Sequence, residues 1–554
     1  MEKKQKRPGR DMAGFLLLGL GLLMLGRSLM LCFSNDIWYD ELFTVGMVEH
    51  SYGELVRFTA ADVHPPLYYC IVKLFVDLCK LVNPGIGTVI PAKIVSVLPY
   101  FILLIYAVTF MRKRFGLFVS GLFLFCVTAM PQLPAYTVEV RMYGWALLFV
   151  TAAFLHAGEL VQTQKRLLHG AALTLYGLAA AYTQYFACVA VVMVYLWVLF
   201  VFWSRDRRRI REWFFYVAIS VIGYVPWLFA LAGQLGAVSQ SYWILPLTWR
   251  SLGGCVKFLM KPAFTNDRVN TVLAVVLSAA YLALWCRWAS KLYHDGRVKY
   301  KNREDIEGIC KKEDDGNAER FFLATAGIWV LAGLVAFGFA ASFLIRPVFV
   351  YRYMIPALGC FWLGFALCLD DALCKPKVEK TEREEGHASR RNIRRNRIAR
   401  DAGIALTVLI VIVGLRDYRA FMGEEEYKIR LMAETEKALF RIGPQDSVLY
   451  NFDQVQAVTG YYLPETAERY LWRTEGEKLI QEITSPCGEL TDVQEIRKML
   501  ETMKAEGQGR NLWFIGSFNS REDIVAEWRM AGFDVEETGS FLLERYWFNL
   551  YKIS

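Results

Sequence analysis

Residues 12–33 read MAGFLLLGLGLLMLGRSLMLCF, an apolar run that contains one charge, Arg27, near its end. About 20 consecutive apolar residues suffice for a helix to cross the hydrocarbon core of a bilayer, and an arginine near the end of a span can extend its charge to the interface. Basic residues precede the run, and no small-residue cleavage site follows it. The segment therefore predicts an uncleaved first span whose N-terminus is cytoplasmic.

The same pattern recurs along the chain, which has 554 residues, of which 55% are hydrophobic. Residues 66–82 are also apolar, but they carry Lys73, Asp77 and Lys80, and counting them as a span would place the later basic loops outside. We interpret them as an interfacial or partly inserted helix. The other runs predict eleven spans, at residues 12–34, 88–111, 115–131, 142–161, 167–183, 184–203, 210–232, 270–289, 322–345, 353–371 and 402–416.

The net charge of +9 does not indicate nucleic-acid binding, because the basic residues cluster in the segments between apolar runs. Lysine and arginine are enriched in the cytoplasmic loops of membrane proteins. With the N-terminus inside and eleven spans, every basic segment falls on the cytoplasmic side, which predicts a multi-pass protein of the plasma membrane in contact with membrane lipid. These segments are residues 112–114, 165–166, 205–211, 287–320 and 375–400.

The character of the chain changes after Arg416, where long apolar runs give way to mixed sequence. The fold class predicted is a polytopic α-helical membrane protein with a C-terminal extracytoplasmic α/β domain. The membrane domain covers residues 1–420, with its first outer loop at 35–87, and the α/β domain covers 421–554. Within the latter, periodicity predicts helices at 424–439 and 489–504 and strands at 447–451, 512–515 and 546–551.

Neither a nucleotide nor a metal cofactor is predicted. The chain has no glycine-rich phosphate loop and no Walker-type motif, and its twelve cysteines show no metal-ligand spacing. A divalent metal is chemically possible for a phosphate-handling enzyme, but the acidic residues do not form a recognisable metal cage.

The first predicted outer loop contains the segment Asn35–Thr44, in which Asp36, Asp40 and Glu41 lie among aromatic residues. Carboxylates at a membrane surface usually mark a functional site, and a carboxylate with a raised pKa can remove a proton from a hydroxyl group. The alternative is that these acids form the capped, solvated start of an interfacial helix.

Three further segments with polar residues map to the same predicted side. Arginine suits phosphate recognition because its guanidinium group donates two parallel hydrogen bonds. A histidine can also donate a hydrogen bond to a phosphate group. The alternative for His64 is an ordinary residue at a helix start. The alternative for Glu139 and Arg141 is a local ion pair, and that for Arg352 is a side chain that extends to lipid headgroups. The residues concerned are His64 before two prolines, Glu139, Arg141 and Tyr143, and Arg352 with Tyr353.

Taken in order, these motifs resemble the bacterial branch of the protein O-mannosyltransferase-like GT-C glycosyltransferases, which includes lipopolysaccharide sugar transferases and relatives of the aminoarabinose transferase. The resemblance covers roughly residues 1–370. It is carried by Tyr39-Asp40-Glu41, His64-Pro65-Pro66-Leu67-Tyr68, Glu139-x-Arg141-x-Tyr143, Pro226-Trp227-Leu228, Tyr242-Trp243-Ile244 and Arg352-Tyr353.

The resemblance implies a hexosyl- or pentosyltransferase that moves a sugar from a polyprenyl-phosphate donor to a hydroxyl group on a glycan, lipid or protein, outside the cytoplasm and with inversion. It implies that Asp40 is the catalytic base and that Glu41 contacts donor or acceptor. The residues implied for substrate binding are His64, Glu139, Arg141, Tyr143, Arg352 and Tyr353. Where many relatives carry a histidine in an outer turn, this chain has Gln184, a weaker metal ligand, so no metal is assigned.

Two other classes of function compete with an enzyme. A transporter or flippase of lipid-linked glycans would show repeat symmetry and charge near the bilayer midplane, whereas the unusual polar residues of this chain map to the outer interface. A non-catalytic membrane scaffold would tolerate replacement of Asp40, which separates it from an enzyme experimentally.

Overall fold

The structure is a computed structural model that describes residues 8–162, 165–237, 244–301, 311–374, 388–484, 486–506, 509–543 and 546–554. The described chain divides into two compact units, each formed by segments that are distant in sequence. The first unit, called the helical unit below, comprises residues 1–32, 63–68 and 94–421. The second, called the α/β unit, comprises residues 33–62, 69–93 and 422–554.

Helices dominate the chain up to residue 439. A π-helical turn, Ala107–Met111, joins α5 to α6, and short 3₁₀ turns precede α8, α11 and α15. The helices are α1 Pro8–Leu31, α2 Tyr39–Glu49, α3 Tyr52–Ala61, α4 Leu67–Val82, α5 Val89–Tyr106, α6 Arg112–Phe115, α7 Leu117–Ala129, α8 Tyr143–Gln162, α9 Arg166–Ala181, α10 Tyr185–Arg205, α11 Ile210–Ala237, α12 Arg250–Met260, α13 Asp267–Lys301, α14 Lys311–Leu344, α15 Ile355–Leu373 and α16 Ala388–Leu439.

Nine helices in the described residues are long and apolar enough to cross a membrane. The other two predicted spans correspond to shorter helices, α7 with 13 residues and α9 with 16. Residues 66–82 form the separate 16-residue helix α4. The nine candidate spans are Gly9–Leu31, Val89–Phe115, Tyr143–Gln162, Tyr185–Arg205, Arg207–Gln234, Asp267–Tyr293, Gly316–Leu344, Tyr351–Leu373 and Asn396–Leu439.

Helix α15 lies at the centre of the helical unit, where it packs against α7, α8, α10, α13 and α14. The apolar part of its candidate span is entirely buried. Two glycines permit the close approach of neighbouring helices: a Cβ atom at Gly359 would overlap Thr151 of α8, and one at Gly327 of α14 would overlap the carbonyl group of Cys360. Close approach through small residues is how helices associate where water supplies no driving force.

Adjacent carboxylates near the C-terminal end of α15 form an ion-pair network with three other helices. Asp370 forms an ion pair with Arg10 of α1 at 2.8 Å and accepts a hydrogen bond from Arg320 of α14 at 2.6 Å. Asp371 accepts from Arg287 and Lys291 of α13 at 3.1 and 3.2 Å. Because Asp370 is only 1% exposed, its charge depends on these partners for compensation.

The α/β unit contains a six-stranded mixed sheet in the order β3-β2-β1-β4-β6-β5. Strands β1 to β4 are parallel, and β6 pairs antiparallel with both β4 and β5. The strands are β1 Ser447–Tyr450, β2 Glu468–Trp472, β3 Gly488–Leu490, β4 Leu512–Ser517, β5 Val535–Leu543 and β6 Tyr546–Ile553, and the helices are α17 Asp453–Gly460, α18 Lys478–Ile483, α19 Val493–Glu506 and α20 Ser520–Met530.

The strands alternate side chains between two apolar layers, as a sheet covered on both faces requires. One layer includes Val448, Tyr450 and Leu471 of the sheet with Val455 and Val458 of α17. The opposite layer joins the sheet to α19 and α20 through Ile496, Met503, Val525 and Trp528. The five helices and strands predicted between residues 424 and 551 are all present.

Residues 33–62, which contain α2 and α3, belong to this unit and contact its C-terminal part. The hydroxyl oxygen of Tyr462 accepts a hydrogen bond from the Ile37 amide group at 3.1 Å. His50 Nε2 lies 3.2 Å from the carbonyl oxygen of Ile483. Ile37, Leu42, Val45 and Val89 form an apolar cluster with Ala457 and Ile480. Helix α2 is therefore fixed by contacts on several sides.

One element differs from the prediction. The predicted span 402–416 and the predicted helix 424–439 are parts of one 52-residue helix, α16. The residues between them contain no proline and only one glycine, Gly423, and a single helical glycine costs only about 1 kcal/mol relative to alanine. The change of composition after Arg416 therefore does not mark a helix end.

Replacing Asp370 by Asn tests the importance of the ion-pair network. The substitution leaves Arg10 and Arg320 without their shared carboxylate, so we expect a loss of about 3 kcal/mol in the free energy of unfolding. Thermal unfolding of the protein in detergent measures the change. The matched control is Asp401→Asn, which removes an exposed ion pair with Arg400 at 3.6 Å and should have little effect. Equal unfolding temperatures for the two variants would show that the network does not stabilise the helical unit.

Candidate functional site

The first acidic motif lies at the start of α2 in the α/β unit. Trp38 is the N-cap residue, and its amide group donates to Glu41 Oε2 at 3.0 Å. Glu41 is only 5% exposed. This arrangement matches the alternative of a capped helix start, although Glu41 is buried rather than solvated. The observed role of Glu41 is to satisfy the backbone at the first turn of α2.

Asp40 occupies the first turn of the same helix and is half-buried. Its neighbour Tyr39 packs edge-on against Phe43, with ring centroids 5.5 Å apart, and also contacts the apolar layer that includes Tyr450 and Leu471. A carboxylate on such a fixed helix start loses little conformational entropy when it contacts a substrate, which is a property that a catalytic base requires.

Asp36 has a structural partner that the sequence pattern did not reveal. Its carboxylate accepts from Lys93 Nζ at 2.8 Å, and Lys93 also donates to Ser34 at 2.9 Å. Burial by itself would raise the pKa of Asp36, but the attraction and hydrogen bond of Lys93 outweigh it, so the pKa is lowered. A carboxylate with a lowered pKa is a weak base, which makes Asp36 a poor candidate for proton removal.

The segment before α8 in the helical unit holds the Glu139-x-Arg141-x-Tyr143 motif. Residues 138–142 are irregular and lead directly into α8. Two residues that are two positions apart do not share a face of a helix, so this irregular backbone is what would let Glu139 and Arg141 contact the same ligand. Arg141 is only 6% exposed and Tyr143 only 1%. Arg141 and Tyr143 are therefore buried at a helix start, whereas Glu139 is half-buried.

Arg352 joins this segment from a distant part of the chain. It lies on the 3₁₀ turn Tyr351–Met354 at the start of α15, and its guanidinium carbon is 5.9 Å from the ring centroid of Tyr143. Tyr136 packs edge-on against Tyr143 at 5.0 Å. Burial raises the pKa of Tyr136 well above its usual value, Glu139 raises it further, and Arg352 opposes the rise. Glu139, Tyr143 and Arg352 thus share one neighbourhood.

Tyr353 faces a different neighbour from Arg352. Its ring stacks on Phe186 of α10 with centroids 4.7 Å apart. Phe186 also contacts Phe349 at 5.9 Å, so Tyr353 belongs to an aromatic group beside the Arg352 cluster.

His64 lies in the turn between α3 and α4, followed by two buried prolines. Helix α4 begins at Leu67, whose amide group donates to the Tyr182 carbonyl oxygen at 3.0 Å. The turn after α9 thereby carries Gln184 close to the His64-Pro65-Pro66 segment. Gln184 is 3% exposed, and its side-chain amide makes no hydrogen bond to any residue that the structure describes.

The predicted site residues belong to both units: Asp40 and Glu41 to the α/β unit, and the six substrate-binding candidates to the helical unit. Of the aromatic motifs used for the resemblance, Tyr242 and Trp243 lie outside the described residues. Within the described ranges, no group of three or more His, Cys, Asp or Glu residues is placed to hold a metal ion.

Two residues of this region were not predicted from the sequence. Lys93 could have been noticed as a lone charge inside the apolar run 88–111, because such charges are rare and usually paired. Tyr136 lies in the same segment as Glu139, but tyrosine is common at membrane interfaces and gave no separate signal.

Comparisons with known proteins identify the fold. No family model and no curated protein matches the chain. Among solved structures, the chain is similar to ArnT from Cupriavidus metallidurans bound to undecaprenyl phosphate, with TM-score 0.52, 11% identity, and coverage of 97% of this chain and 97% of that chain. The same protein in the apo state gives TM-score 0.49, 10% identity and coverage of 97% and 98%.

A third similar structure is the archaeal oligosaccharyltransferase AglB from Archaeoglobus fulgidus, in complex with an inhibitory peptide and a dolichol-phosphate, with TM-score 0.34, 11% identity, and coverage of 90% of this chain and 69% of that chain. The likeness to the undecaprenyl-phosphate-bound ArnT structure shows a common fold. Together with the apolar helices and the C-terminal sheet, it confirms the predicted fold class, a multi-pass α-helical membrane protein with a C-terminal α/β region.

Replacing Asp36 by Asn tests the buried ion pair with Lys93. Lys93 is 3% exposed, so loss of its partner should lower the free energy of unfolding at pH 7 by about 1–3 kcal/mol. A carboxylate with a lowered folded-state pKa stabilises the protein above its unfolded pKa, near 3.9, and the contribution disappears as the pH falls through the folded pKa. The difference between native protein and variant should therefore shrink below about pH 4.

Thermal unfolding in detergent between pH 3 and 7 measures this difference. The control is Glu482→Gln, which removes an exposed ion pair with Arg57 at 3.1 Å and should change stability little. A difference between native protein and Asp36→Asn that is constant across this range would contradict the ion-pair explanation.

Proposed function

We propose that this chain is a membrane glycosyltransferase that moves a sugar from a polyprenyl-phosphate donor to a hydroxyl group on the extracytoplasmic side. The observation that carries the proposal is the gathering of Glu139, Tyr143 and Arg352 in one neighbourhood. The fold, which is similar to that of a protein solved with undecaprenyl phosphate, supports the choice of donor.

The donor is an anionic lipid, so its phosphate group requires cationic hydrogen-bond donors near the membrane surface. Arg141 and Arg352 suit this role because guanidinium groups bind phosphate oxygens through paired hydrogen bonds. The burial of Arg141 strengthens such contacts, since charges interact more strongly where water is excluded. Glu139, His64, Tyr143 and Tyr353 would orient the donor and line the site.

Transfer with inversion needs one displacement. The acceptor hydroxyl oxygen forms a bond to the anomeric carbon while the bond from that carbon to the phosphate oxygen breaks. Polyprenyl phosphate leaves with the electron pair, and Asp40 takes the hydroxyl proton. Base catalysis of this kind contributes roughly 10²–10⁴-fold to a rate, and stabilisation of the leaving phosphate by the arginines adds to it.

The orientation of the chain follows from its basic segments. Placing residues 112–114, 205–211 and 375–400 in the cytoplasm puts the N-terminus inside and residues 422–554 outside. This orientation also puts the starts of α2, α8 and α15 on the outer side, where lipid-linked sugars would be used. The acceptor is a glycan, a lipid or a protein.

Replacing Asp40 by Asn tests the assignment of the base. The amide keeps the size of the side chain but cannot take the proton, so we expect transfer to fall roughly 10²–10⁴-fold. Transfer is measured with purified protein in lipid nanodiscs, using a lipid extract that contains the donor and following released polyprenyl phosphate by mass spectrometry. The control is Asp77→Asn, which removes an ion pair with Lys73 at 3.2 Å. Undiminished transfer by Asp40→Asn would exclude Asp40 as the base and favour a transporter or scaffold.

Replacing Arg352 by Lys tests donor recognition separately. Lysine retains the charge but cannot form two parallel hydrogen bonds, so the KM for the donor should rise roughly tenfold or more. Arg346→Lys is the matched control, because Arg346 lies just after the end of α14, outside the cluster around Tyr143. Equal KM values for the two variants would contradict a phosphate-binding role for Arg352.

A further inference from the structure

Helix α12 and the residues around it are rich in basic side chains. Residues 244–268 contain four basic residues and one acidic residue. The acidic residue, Asp267, forms an ion pair with Lys261, so the stretch carries a net positive charge. The other three basic residues are all exposed, and they are Arg250, Lys257 and Arg268.

The apolar residues of α12 lie on a different face from the basic ones. Trp249, Leu252 and Val256 are spaced by three and four positions, so they form one row along the helix. Trp249 is 79% exposed and Leu252 is 55% exposed. Arg250 and Lys257 are seven positions apart, which is about two turns, and they form a second row. This division is typical of a helix that lies in the membrane interface, with its apolar row among lipid chains and its basic row at the headgroups.

Contacts within the helical unit hold α12 beside the start of a candidate membrane span. It packs on α13, which contains the candidate span Asp267–Tyr293. Just after α12, the Phe264 amide group donates to Asn270 Oδ1 at 3.0 Å, and Asn270 Nδ2 donates to the Phe264 carbonyl oxygen at 2.8 Å. Asn270 lies in the first turn of α13, so the end of α12 is fixed at the level where the span begins.

The same helix contacts the turn that carries Arg352. Helix α12 packs against the 3₁₀ turn Tyr351–Met354. Gly254 permits this approach, because a Cβ atom at that position would overlap the Tyr351 side chain. A ligand that immobilises α12 therefore also restrains the residue that precedes Arg352.

We propose that α12 binds the headgroups of anionic phospholipids, with Arg250 and Lys257 at the phosphate groups and Trp249 and Leu252 among the acyl chains. Each lysine or arginine near an anionic membrane surface strengthens binding about fivefold, and tryptophan is enriched at the membrane–water interface. The position of α12 at the start of a span puts both rows at the depth that this requires.

The arrangement of the charges favours bulk phospholipid over two other partners. The basic residues are exposed and spread over two helical turns, which suits several headgroups at a surface better than the single phosphate group of one carrier lipid. A second copy of this chain would present the same positive face, so like charges would oppose the contact.

The lipid surface stands independently of the proposed transferase activity. Only one step rests on the proposed function: if the chain is a glycosyltransferase, anionic lipid on α12 restrains the turn that holds Arg352 and thereby accelerates transfer.

Quenching of tryptophan fluorescence by brominated lipids tests the surface. Full-length protein is placed in phosphatidylcholine nanodiscs that contain brominated phosphatidylcholine or brominated phosphatidylglycerol at the same mole fraction. The signal of Trp249 is the difference between the native protein and Trp249→Phe. We expect both lipids to quench this signal, and phosphatidylglycerol to quench it at least ~3-fold more.

The double variant Arg250→Gln/Lys257→Gln should lose most of this preference while Trp249 remains quenched by both lipids, because only the attraction for the anionic headgroup is removed. The Trp249 signal is obtained in this variant by the same subtraction. The matched control is Lys498→Gln/Lys504→Gln, which removes two exposed charges from α19 and should keep the preference. Raising the salt concentration from about 0.1 M to about 1 M should reduce the preference of the native protein.

Three results would overturn the proposal. Absence of quenching by both lipids would exclude a position of α12 in the membrane interface. Equal quenching by the two lipids would exclude recognition of the anionic headgroup. Loss of the preference on addition of a small proportion of undecaprenyl phosphate would assign the surface to the carrier lipid instead of phospholipid.

Transfer measured in the same nanodiscs tests the step that rests on the proposed function. We expect the rate to rise with phosphatidylglycerol content for the native protein and not for Arg250→Gln/Lys257→Gln. A native rate that does not depend on phosphatidylglycerol would overturn the link to Arg352. Absence of transfer in every lipid would count against the proposed function, whereas the quenching result would still decide the lipid surface.

Discussion

The ion pairs of Asp370 and Asp371 hold one end of α15, the most fully buried of the nine candidate spans in the described residues. Helix α15 passes through the centre of the helical unit, and at its C-terminal end these carboxylates bind basic residues of α1, α13 and α14. At its other end, the first turn carries Arg352 towards Tyr143. A helix that is packed on all sides and anchored by charge cannot slide, so Arg352 has a fixed position. The donor-binding role proposed for Arg352 depends on that rigidity.

The start of α2 is fixed by a different set of contacts. Glu41 caps the helix, Asp36 binds a buried lysine, and Tyr462 of the α/β unit binds the backbone at Ile37. Two acidic residues of this motif, Asp36 and Glu41, thus have structural contacts, and Asp40 stays the proposed base. Residues 33–62 and 69–93 belong to the same unit as residues 422–554. The C-terminal residues therefore contact and position the segment that carries Asp40, the proposed base.

Hydropathy predicted most of the candidate membrane spans. Backbone groups in lipid must be hydrogen-bonded within a helix, so each long apolar run that crosses a bilayer forms a helix. The predicted strands and helices after residue 424 followed from periodicity in the same way. Partnerships between distant residues were beyond reach. The Asp36–Lys93 pair joins residues 57 positions apart, and no local pattern encodes it. The sequence does not predict the continuity of α16, because its composition changes at Arg416 in the middle of the helix.

A transferase of the proposed kind consumes a polyprenyl-phosphate sugar in the cell. A mass-spectrometric comparison of lipid extracts from cells that lack the protein and cells that contain it tests this consumption. We expect one glycosylated polyprenyl phosphate to accumulate without the protein, and the mass of that lipid would identify the donated sugar. Identical carrier-lipid profiles in the two extracts would contradict the proposed function.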